Sequence, residues 1–106
     1  MTLLVNIHKK QVFDVYIGRH GRGHDGYFGN PYSKGTREQN VSDFKVYFYK
    51  RLSEDVEFKQ RVETLRGLRL ACFCVPLLCH GMVIIEYLDG ISIAEQMKSF
   101  ADEKEK

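Results

Sequence analysis

The amino-acid sequence predicts an α/β fold: a small single domain with a short, mostly parallel sheet and a βαβ crossover. Three observations indicate it: β-branched and aromatic runs near the N-terminus, a charge-poor apolar run over residues 68–75, and amphipathic helical patterns between and after them. Strands separated by helical segments are typical of βαβ units, whose crossovers connect parallel strands. With 106 residues, 43% hydrophobic and 28% charged, the chain has the size and composition of one globular domain.

Two short strands are predicted first, at residues 3–7 and 12–17. Both runs are rich in β-branched and aromatic residues, and the polar segment that joins them is typical of a turn. A long loop follows, residues 18–35, which we call the glycine loop. It has no hydrophobic period and holds six of the nine glycines of the chain. Because long loops in compact domains are usually functional or disordered, this segment is the first candidate for a binding site.

Two helices are predicted after the glycine loop. Thr36 and Gln39 have the spacing of a capping box, and apolar side chains recur every three or four positions from Val41 to Leu52. This pattern predicts an amphipathic first helix. A sparser apolar stripe predicts a second helix with Ser53 as its N-cap.

The remaining elements complete the predicted domain. Residues 68–75 are nearly free of charge, which predicts a third strand buried on both faces. Helices are predicted at residues 82–88 and 92–100, so the domain spans residues 1–100 and the charged segment 101–106 is predicted to be a frayed tail. This order predicts an incomplete Rossmann-like arrangement, in which ligands bind beyond the carboxyl ends of the parallel strands. The glycine loop and the Cys79-His80-Gly81 turn both lie there.

Charge in the glycine loop and the two residues after it indicates the kind of ligand. Residues 18–37 carry four basic side chains against a single aspartate, a local charge of +3, whereas the whole chain carries only +2. A small net charge does not favour nucleic acid as the partner, but a basic, glycine-rich loop suits phosphate or another compact anion. We therefore expect a small phosphorylated or nucleotide-like ligand.

The predicted ligand-binding residues come from both loops. Backbone N–H groups of glycines and of a helix N-terminus can surround an anion, arginines can bind it bidentately, and an aromatic ring can stack on a base. The set is Gly18, Arg19, Phe28, Gly29, Asn30, Thr36, Arg37, Cys79, His80 and Gly81.

The cysteines admit three interpretations. An odd number without a signal peptide predicts reduced thiols, with Cys72 and Cys74 as small apolar packing residues. At a helix N-terminus, the dipole would lower the pKa of Cys79, and His80 could serve it as acid or base, so these two are the catalytic candidates. The alternative is a zinc-stabilised module for binding nucleic acid or protein, with Cys72, Cys74, Cys79 and His80 as ligands. We therefore favour no cofactor, and zinc is the alternative.

The sequence also bears on location and assembly. No apolar run is long enough to cross a bilayer, and residues 1–7 lack the features of a secretory signal, so we expect a cytoplasmic protein without a membrane partner. An open sheet edge would allow a homo-oligomer.

The paired motifs resemble domain-of-unknown-function family 4326, found in phages and bacteria. The similar segments include Tyr16-Ile17-Gly18-Arg19, Phe28-Gly29-Asn30-Pro31-Tyr32, Gly35-Thr36-Arg37 and Cys72-Phe73-Cys74-Val75-Pro76 with Cys79-His80-Gly81. The resemblance implies a phage-type protein acting in the host cytoplasm, either an enzyme of nucleotide or modified-base metabolism or a protein that sequesters a signalling nucleotide. The family tends to have tryptophan in place of Phe73 and an acidic residue in place of Met82. If that acid takes part in chemistry, its loss here favours binding over catalysis.

Overall fold

A computed structural model of the protein describes residues 1–9, 11–19, 21, 23 and 25–104. One basic residue of the glycine loop, Arg22, therefore lies outside the described residues. The strands are β1 (Leu3–Asn6), β2 (Val15–Tyr16) and β3 (Arg69–Cys72), with a 3₁₀ turn at Ile7–Lys9. The helices are α1 (Arg37–Glu54), α2 (Val56–Glu63), α3 (His80–Asp89) and α4 (Ile93–Lys104).

The three strands form a parallel sheet in the order β1-β3-β2. The central strand is the one whose lack of charge predicted burial on both faces, and Leu70, Ala71 and Cys72 are indeed buried. Leu70 lies opposite Leu4 of β1 on one side and Val15 of β2 on the other. The predicted α/β class, the parallel sheet and the helical crossover between β2 and β3 are confirmed.

The first two strands, predicted to be joined by a turn, are not neighbours in the sheet. The segment between them is not a hairpin turn, because β1 and β2 pair with opposite edges of β3. β2 is also shorter than predicted, and Val12 is 69% exposed. Asp14 explains where the strand begins: its carboxylate accepts hydrogen bonds from the backbone and guanidinium of Arg69, which anchors the chain to β3 only from this residue onward.

Two other boundaries differ for local reasons. β3 ends at Cys72 rather than Val75, because the side-chain amide of Asn6 donates to the carbonyls of Phe73 and Val75, at 3.4 and 2.8 Å. α2 begins after Asp55, whose carboxylate accepts from the backbone N–H of Phe58 at 3.0 Å.

Ser53, the predicted cap of the second helix, still belongs to α1. Its hydroxyl donates to the Lys50 carbonyl at 2.8 Å. At the other end of the chain, α4 continues past its predicted end at Phe100 to Lys104, into the segment predicted as a tail.

The core lies between the sheet and the helices that cover it. The predicted apolar stripe of α1 is buried against α2 and α3, and α3 is buried along nearly its whole length. Cys79 is the N-cap of α3, and Gly90 ends that helix in the left-handed conformation at φ 71°. The first turns of α1 and α3 are thereby fixed near the carboxyl ends of β2 and β3.

Thr36 provides a first testable prediction. Its hydroxyl accepts from the backbone N–H of Gln39 at 3.2 Å, as the capping-box spacing predicted. Thr36→Ala leaves this N–H without its cap, so we expect the free energy of unfolding to fall by about 1 kcal/mol in chemical denaturation. Ser42→Ala, an exposed change within the same helix, is the control. Equal stability of the two variants would contradict the assigned cap.

Candidate functional site

A cavity of about 790 Å³ opens at the carboxyl ends of β2 and β3. Its wall combines the 3₁₀ turn, the end of β2, the glycine loop, the start of α1 and the segment between β3 and α3. A smaller cavity of about 520 Å³ lies between β1 and α4 and contains none of the predicted site residues. The larger cavity occupies the position in which open parallel sheets bind ligands.

The structure brings together six of the ten predicted ligand-binding residues at this cavity. The six that line it are Gly18, Arg19, Asn30, Arg37, Cys79 and His80. The four that do not line it are Phe28, Gly29, Thr36 and Gly81.

Each of these four has a structural contact instead. Phe28 packs against Tyr27 and Phe58. A Cβ atom on Gly81 would lie 2.7 Å from the side chain of Leu4, so this glycine allows α3 to pack closely on the sheet. Gly29 allows a close crossing within the glycine loop, and Thr36 caps α1.

Arg19 is held in place by the glycine loop itself. Its Nε donates to the carbonyl of Asn30 at 2.9 Å, and Nη2 donates to the carbonyl of Tyr32 at 2.8 Å. The contacts restrain a side chain that would otherwise lose considerable rotamer entropy on binding a ligand. Arg19 is therefore a positioned positive charge at the cavity.

Arg37 reaches the cavity from the first residue of α1. Its Nη1 donates to the carbonyl of Leu78 at 3.3 Å, which connects α1 to the segment before α3. Ion pairs within the described residues engage Lys45, Arg51, Arg66 and Arg69, and none engages Arg19 or Arg37. Two guanidinium groups thus line one cavity without a carboxylate partner in the described part of the chain.

Asn30 has a supporting role in this geometry. Its Nδ2 donates to the carbonyl of Asn40 at 3.0 Å, and its Oδ1 accepts from the backbone N–H of Tyr32 at 2.9 Å. The buried amide ties the glycine loop to α1. It shapes the cavity wall near Arg19 through these bonds within the protein.

The exposed aromatic surface of the cavity comes from Phe73, directly after β3. Phe73 is 45% exposed, and its ring centroid lies 5.0 Å from that of His8 and 5.6 Å from that of Tyr16. The sequence had pointed to aromatic residues of the glycine loop for stacking. Tyr27 instead packs against the buried ring of Phe58, at 5.9 Å between centroids, so the exposed aromatic ring at the cavity comes from another segment.

The three cysteines are free thiols, two of them buried. Cys79 Sγ donates to Cys72 Sγ at 3.2 Å, and a hydrogen bond from Cys79 lowers the pKa of Cys72. Cys74 is half-buried. A hydrogen bond from Cys79, and then the hydrogen bond and charge of Arg37, lower the pKa of Cys74 to about 6.

The expectation that the helix dipole lowers the pKa of Cys79 is wrong. Although Cys79 does cap α3, its hydrogen bonds to Cys72 and Cys74, followed by burial, raise its pKa well above the ordinary value. The acidic thiol of the site is therefore Cys74.

His80 is buried and neutral. Its Nε2 lies 2.8 Å from the Ile17 carbonyl, which can only accept, so Nε2 carries the proton and the Nδ1 lone pair faces Cys79 Sγ at 3.5 Å. Burial lowers the pKa of His80 to about 4, against a partial opposing effect of the Ile17 hydrogen bond. His80 therefore lies beside the Cys79 thiol and adds no positive charge at neutral pH.

The zinc alternative gains no support from this geometry. Among the residues that the structure describes, no three side chains of His, Cys, Asp or Glu are arranged to hold a metal ion.

No helix in that part of the chain is long and apolar enough to span a bilayer.

Together, the fold and the cavity define a small α/β protein with a basic, partly aromatic cavity at the carboxyl edge of a three-stranded parallel sheet. The chain belongs to the family described as domain of unknown function DUF4326, whose model matches residues 5–90. It is 34% identical over 87 residues to an uncharacterised 12.4 kDa protein of Enterobacteria phage T4 from the nrdA-td intergenic region, a match that covers 82% of this chain and 68% of the relative. No solved structure matches the chain.

The resemblance seen in the motifs is thereby confirmed, and the two departures from it have different surroundings. Phe73 lies at the cavity, where an aromatic residue of either kind can offer a stacking face. Met82 is fully buried in the core and does not line the cavity.

Sequence reasoning missed several cavity residues, notably His8, Tyr16, Asn40 and Phe73, and it gave Cys74 only as a packing residue or an alternative zinc ligand. A usable signal existed for His8 and Tyr16, since each lies at or just after the carboxyl end of a predicted strand, where α/β proteins bind ligands. Phe73 lies inside the predicted third strand and follows the strand only as the structure has it. No sequence pattern distinguishes the pKa of Cys74 from that of Cys79, because the difference depends on hydrogen bonds within the folded cluster.

Proposed function

We propose that this protein binds a nucleotide-like or other phosphorylated small molecule in the 790 Å³ cavity. The observation that carries the proposal is the pair of arginines, Arg19 and Arg37, which line this cavity without carboxylate partners among the described residues. Arginines in folded proteins are usually neutralised or solvated, and a concave surface with two of them favours an anion.

The anionic part of the ligand would bind between the two guanidinium groups. Arg19 already donates to two backbone carbonyls, so it is oriented before the ligand arrives. Such preorganisation reduces the entropy lost on binding. Because His80 is neutral, Arg19 and Arg37 are the main positive charges of this wall.

The aromatic side of the cavity favours a ligand that also contains a planar ring. Phe73 is exposed at the cavity, and its ring packs beside those of His8 and Tyr16, with centroids 5.0 and 5.6 Å away. Stacking of a base on an aromatic side chain contributes about 1–3 kcal/mol. A nucleotide combines such a ring with phosphate, which is why we favour it over inorganic phosphate.

The function we infer is therefore binding of a nucleotide-like ligand, in the host cytoplasm if the protein is phage-encoded like its T4 relative. A sequestering protein needs only this binding. An enzyme of nucleotide or modified-base metabolism would in addition need a group that acts on the ligand.

Thermal-shift and calorimetric titrations with a nucleotide panel test this proposal. The panel contains nucleosides, their mono-, di- and triphosphates and inorganic phosphate. We expect at least one nucleotide to stabilise the protein more than its nucleoside or inorganic phosphate does. Only the nucleotide would contact both the arginines and Phe73. Arg37→Gln removes a charged hydrogen-bond donor and should weaken the binding by about 10- to 100-fold.

Lys50→Gln is the matched control, because it removes one exposed positive charge from the same helix but lies outside the cavity. It should leave the dissociation constant nearly unchanged. Phe73→Ala should weaken binding of the nucleotide but not of inorganic phosphate. Lack of stabilisation by every phosphorylated compound, or equal loss with Arg37→Gln and Lys50→Gln, would contradict the proposal.

A further inference from the structure

The cavity wall contains a pair of buried sulfur atoms that ligand binding does not use. Sγ of Cys79 lies 3.2 Å from Sγ of Cys72, and each of the two residues is 1% exposed. Both residues also line the 790 Å³ cavity. The pair is therefore shielded from bulk solvent but adjoins a space that a small molecule close in size to water can enter.

The fold holds the two sulfur atoms together from different elements. Cys72 is the last residue of β3 and lies opposite Asn6 of β1 in the sheet. Cys79 is the N-cap of α3, and its Sγ accepts from the backbone N–H of Gly81 at 3.5 Å. The S–S bond of a disulfide is about 2.05 Å long, so the two atoms need to approach by only about 1 Å to form one. Groups held this close react much faster than the same groups free in solution.

We propose that Cys72 and Cys79 are a site of reversible oxidation, at which a small hydroperoxide converts the two thiols into an internal disulfide. The Cys72 sulfur, which accepts the hydrogen bond from Cys79, attacks one oxygen of the hydroperoxide. The O–O bond breaks as the S–O bond forms, and the second oxygen leaves with the electron pair and takes up the thiol proton. The products are a sulfenic acid on Cys72 and one molecule of water or alcohol.

Cys79 then completes the reaction. Its sulfur attacks the sulfenic sulfur of Cys72, the S–O bond breaks, and the oxygen leaves as water with the proton of the Cys79 thiol. Nδ1 of the neutral His80 lies 3.5 Å from Cys79 Sγ and can accept this proton during the step. In sum, the two thiols lose two hydrogens, and the hydroperoxide is reduced to water and a second molecule of water or alcohol. A dithiol reductant returns the protein to its starting state.

This reaction goes beyond the proposed ligand binding, since it depends on the thiols and needs no nucleotide. The chain offers two informative variants. Cys79→Ser removes one thiol of the pair while keeping an N-cap for α3, because serine is a favoured residue at that position. Cys74→Ser is the matched control, because it removes the half-buried third thiol and leaves Cys72 and Cys79 in place.

Treatment of the reduced full chain with hydrogen peroxide, followed by intact mass spectrometry and peptide mapping, tests the proposal. Chymotrypsin can cleave after Phe73 and Leu78, which places each of the three cysteines on a separate peptide. We expect the loss of two hydrogens, a Cys72–Cys79 linkage and a fall from three alkylatable thiols to one, all reversed by dithiothreitol. Cys74→Ser should form the same linkage at an unchanged rate.

Cys79→Ser should form no such linkage and should instead accumulate a sulfenic acid on Cys72, which dimedone traps. Circular dichroism checks that the variants are folded, and if Cys79→Ser is not, the linkage in the unaltered chain and in Cys74→Ser decides the matter. A linkage that contains Cys74, loss of the reaction in folded Cys74→Ser, no trapping at Cys72 in folded Cys79→Ser, or three free thiols after peroxide treatment would each overturn the proposal.

Discussion

Lowering the pH from about 7 to about 4 is expected to destabilise the protein by a few kcal/mol through His80 alone. Burial lowers the pKa of His80 from 6.5 to about 4. Between these two values the unfolded chain takes up a proton that the folded protein does not. The stabilising effect of the neutral side chain is complete above pH 6.5 and is lost as the pH falls towards 4, at about 1.4 kcal/mol for each pH unit within this window.

Chemical denaturation at several pH values measures this effect. His80→Gln, which stays neutral but can still donate to the Ile17 carbonyl, should show a flatter dependence between pH 6.5 and 4 than the unaltered protein. If the variant does not fold, an NMR titration of His80 in the unaltered protein gives the same information. A midpoint close to 6.5 would contradict the buried, neutral assignment.

Replacing Gly29 by alanine is expected to have a comparably large effect on the glycine loop. A Cβ atom at this position would lie 2.7 Å from the carbonyl oxygen of Gly18 and 2.9 Å from the Cα of Arg19. Both contacts are with backbone, which cannot rotate away as a side chain can. We expect the free energy of unfolding to fall by about 1–3 kcal/mol, as in other overpacked sites.

Since the displaced segment carries Arg19, Gly29→Ala should also weaken nucleotide binding. Gly35→Ala is the matched control. Its Cβ would lie 2.5 Å from Oε1 of Gln39, the end of a flexible side chain that can move, so the loss of stability should be small. Chemical denaturation of both variants distinguishes the outcomes. An equal change in stability for the two variants would show that the close crossing at Gly29 does not constrain the loop.

Local sequence patterns were sufficient to place the helices and the central strand, but not all of their ends. The hydroxyl of Thr36 and the amide of Gln39 are three residues apart, so the start of α1 depends on neighbours along the chain. The charge-poor run at Leu70 similarly identifies a strand covered on both faces. These features depend on periodicity and capping, which a single sequence contains.

Pairing between distant segments could not be predicted in the same way. The placement of β1 and β2 on opposite edges of β3 depends on contacts such as the Asp14–Arg69 ion pair, whose partners are far apart in sequence. The same limit applies to aromatic residues. Phe28 and Phe73 are the same residue type, and nothing in the sequence shows which one lies at the cavity. In the structure, Phe28 packs on Phe58, whereas Phe73 lines the cavity.

The segments that line the cavity were predicted more accurately than the pKa values of the thiols there. Both loops that meet at the cavity were identified, and so were the two arginines. The pKa values of the thiols could not be predicted, because hydrogen bonds in the folded protein lower the pKa of Cys74 and raise that of Cys79. In general, the carboxyl ends of strands indicate where a site lies, whereas burial and hydrogen bonding set its reactivity.

The central claim is that a phosphorylated, nucleotide-like molecule binds at Arg19 and Arg37, and NMR mapping tests it most directly. The isotope-labelled protein would be titrated with the nucleotide panel while backbone amide and arginine side-chain signals are followed. We predict saturable shifts at Gly18, Arg19, Arg37 and Phe73, with little change at the 520 Å³ cavity between β1 and α4. Shifts confined to that smaller cavity, or no shift with any nucleotide, would contradict the claim.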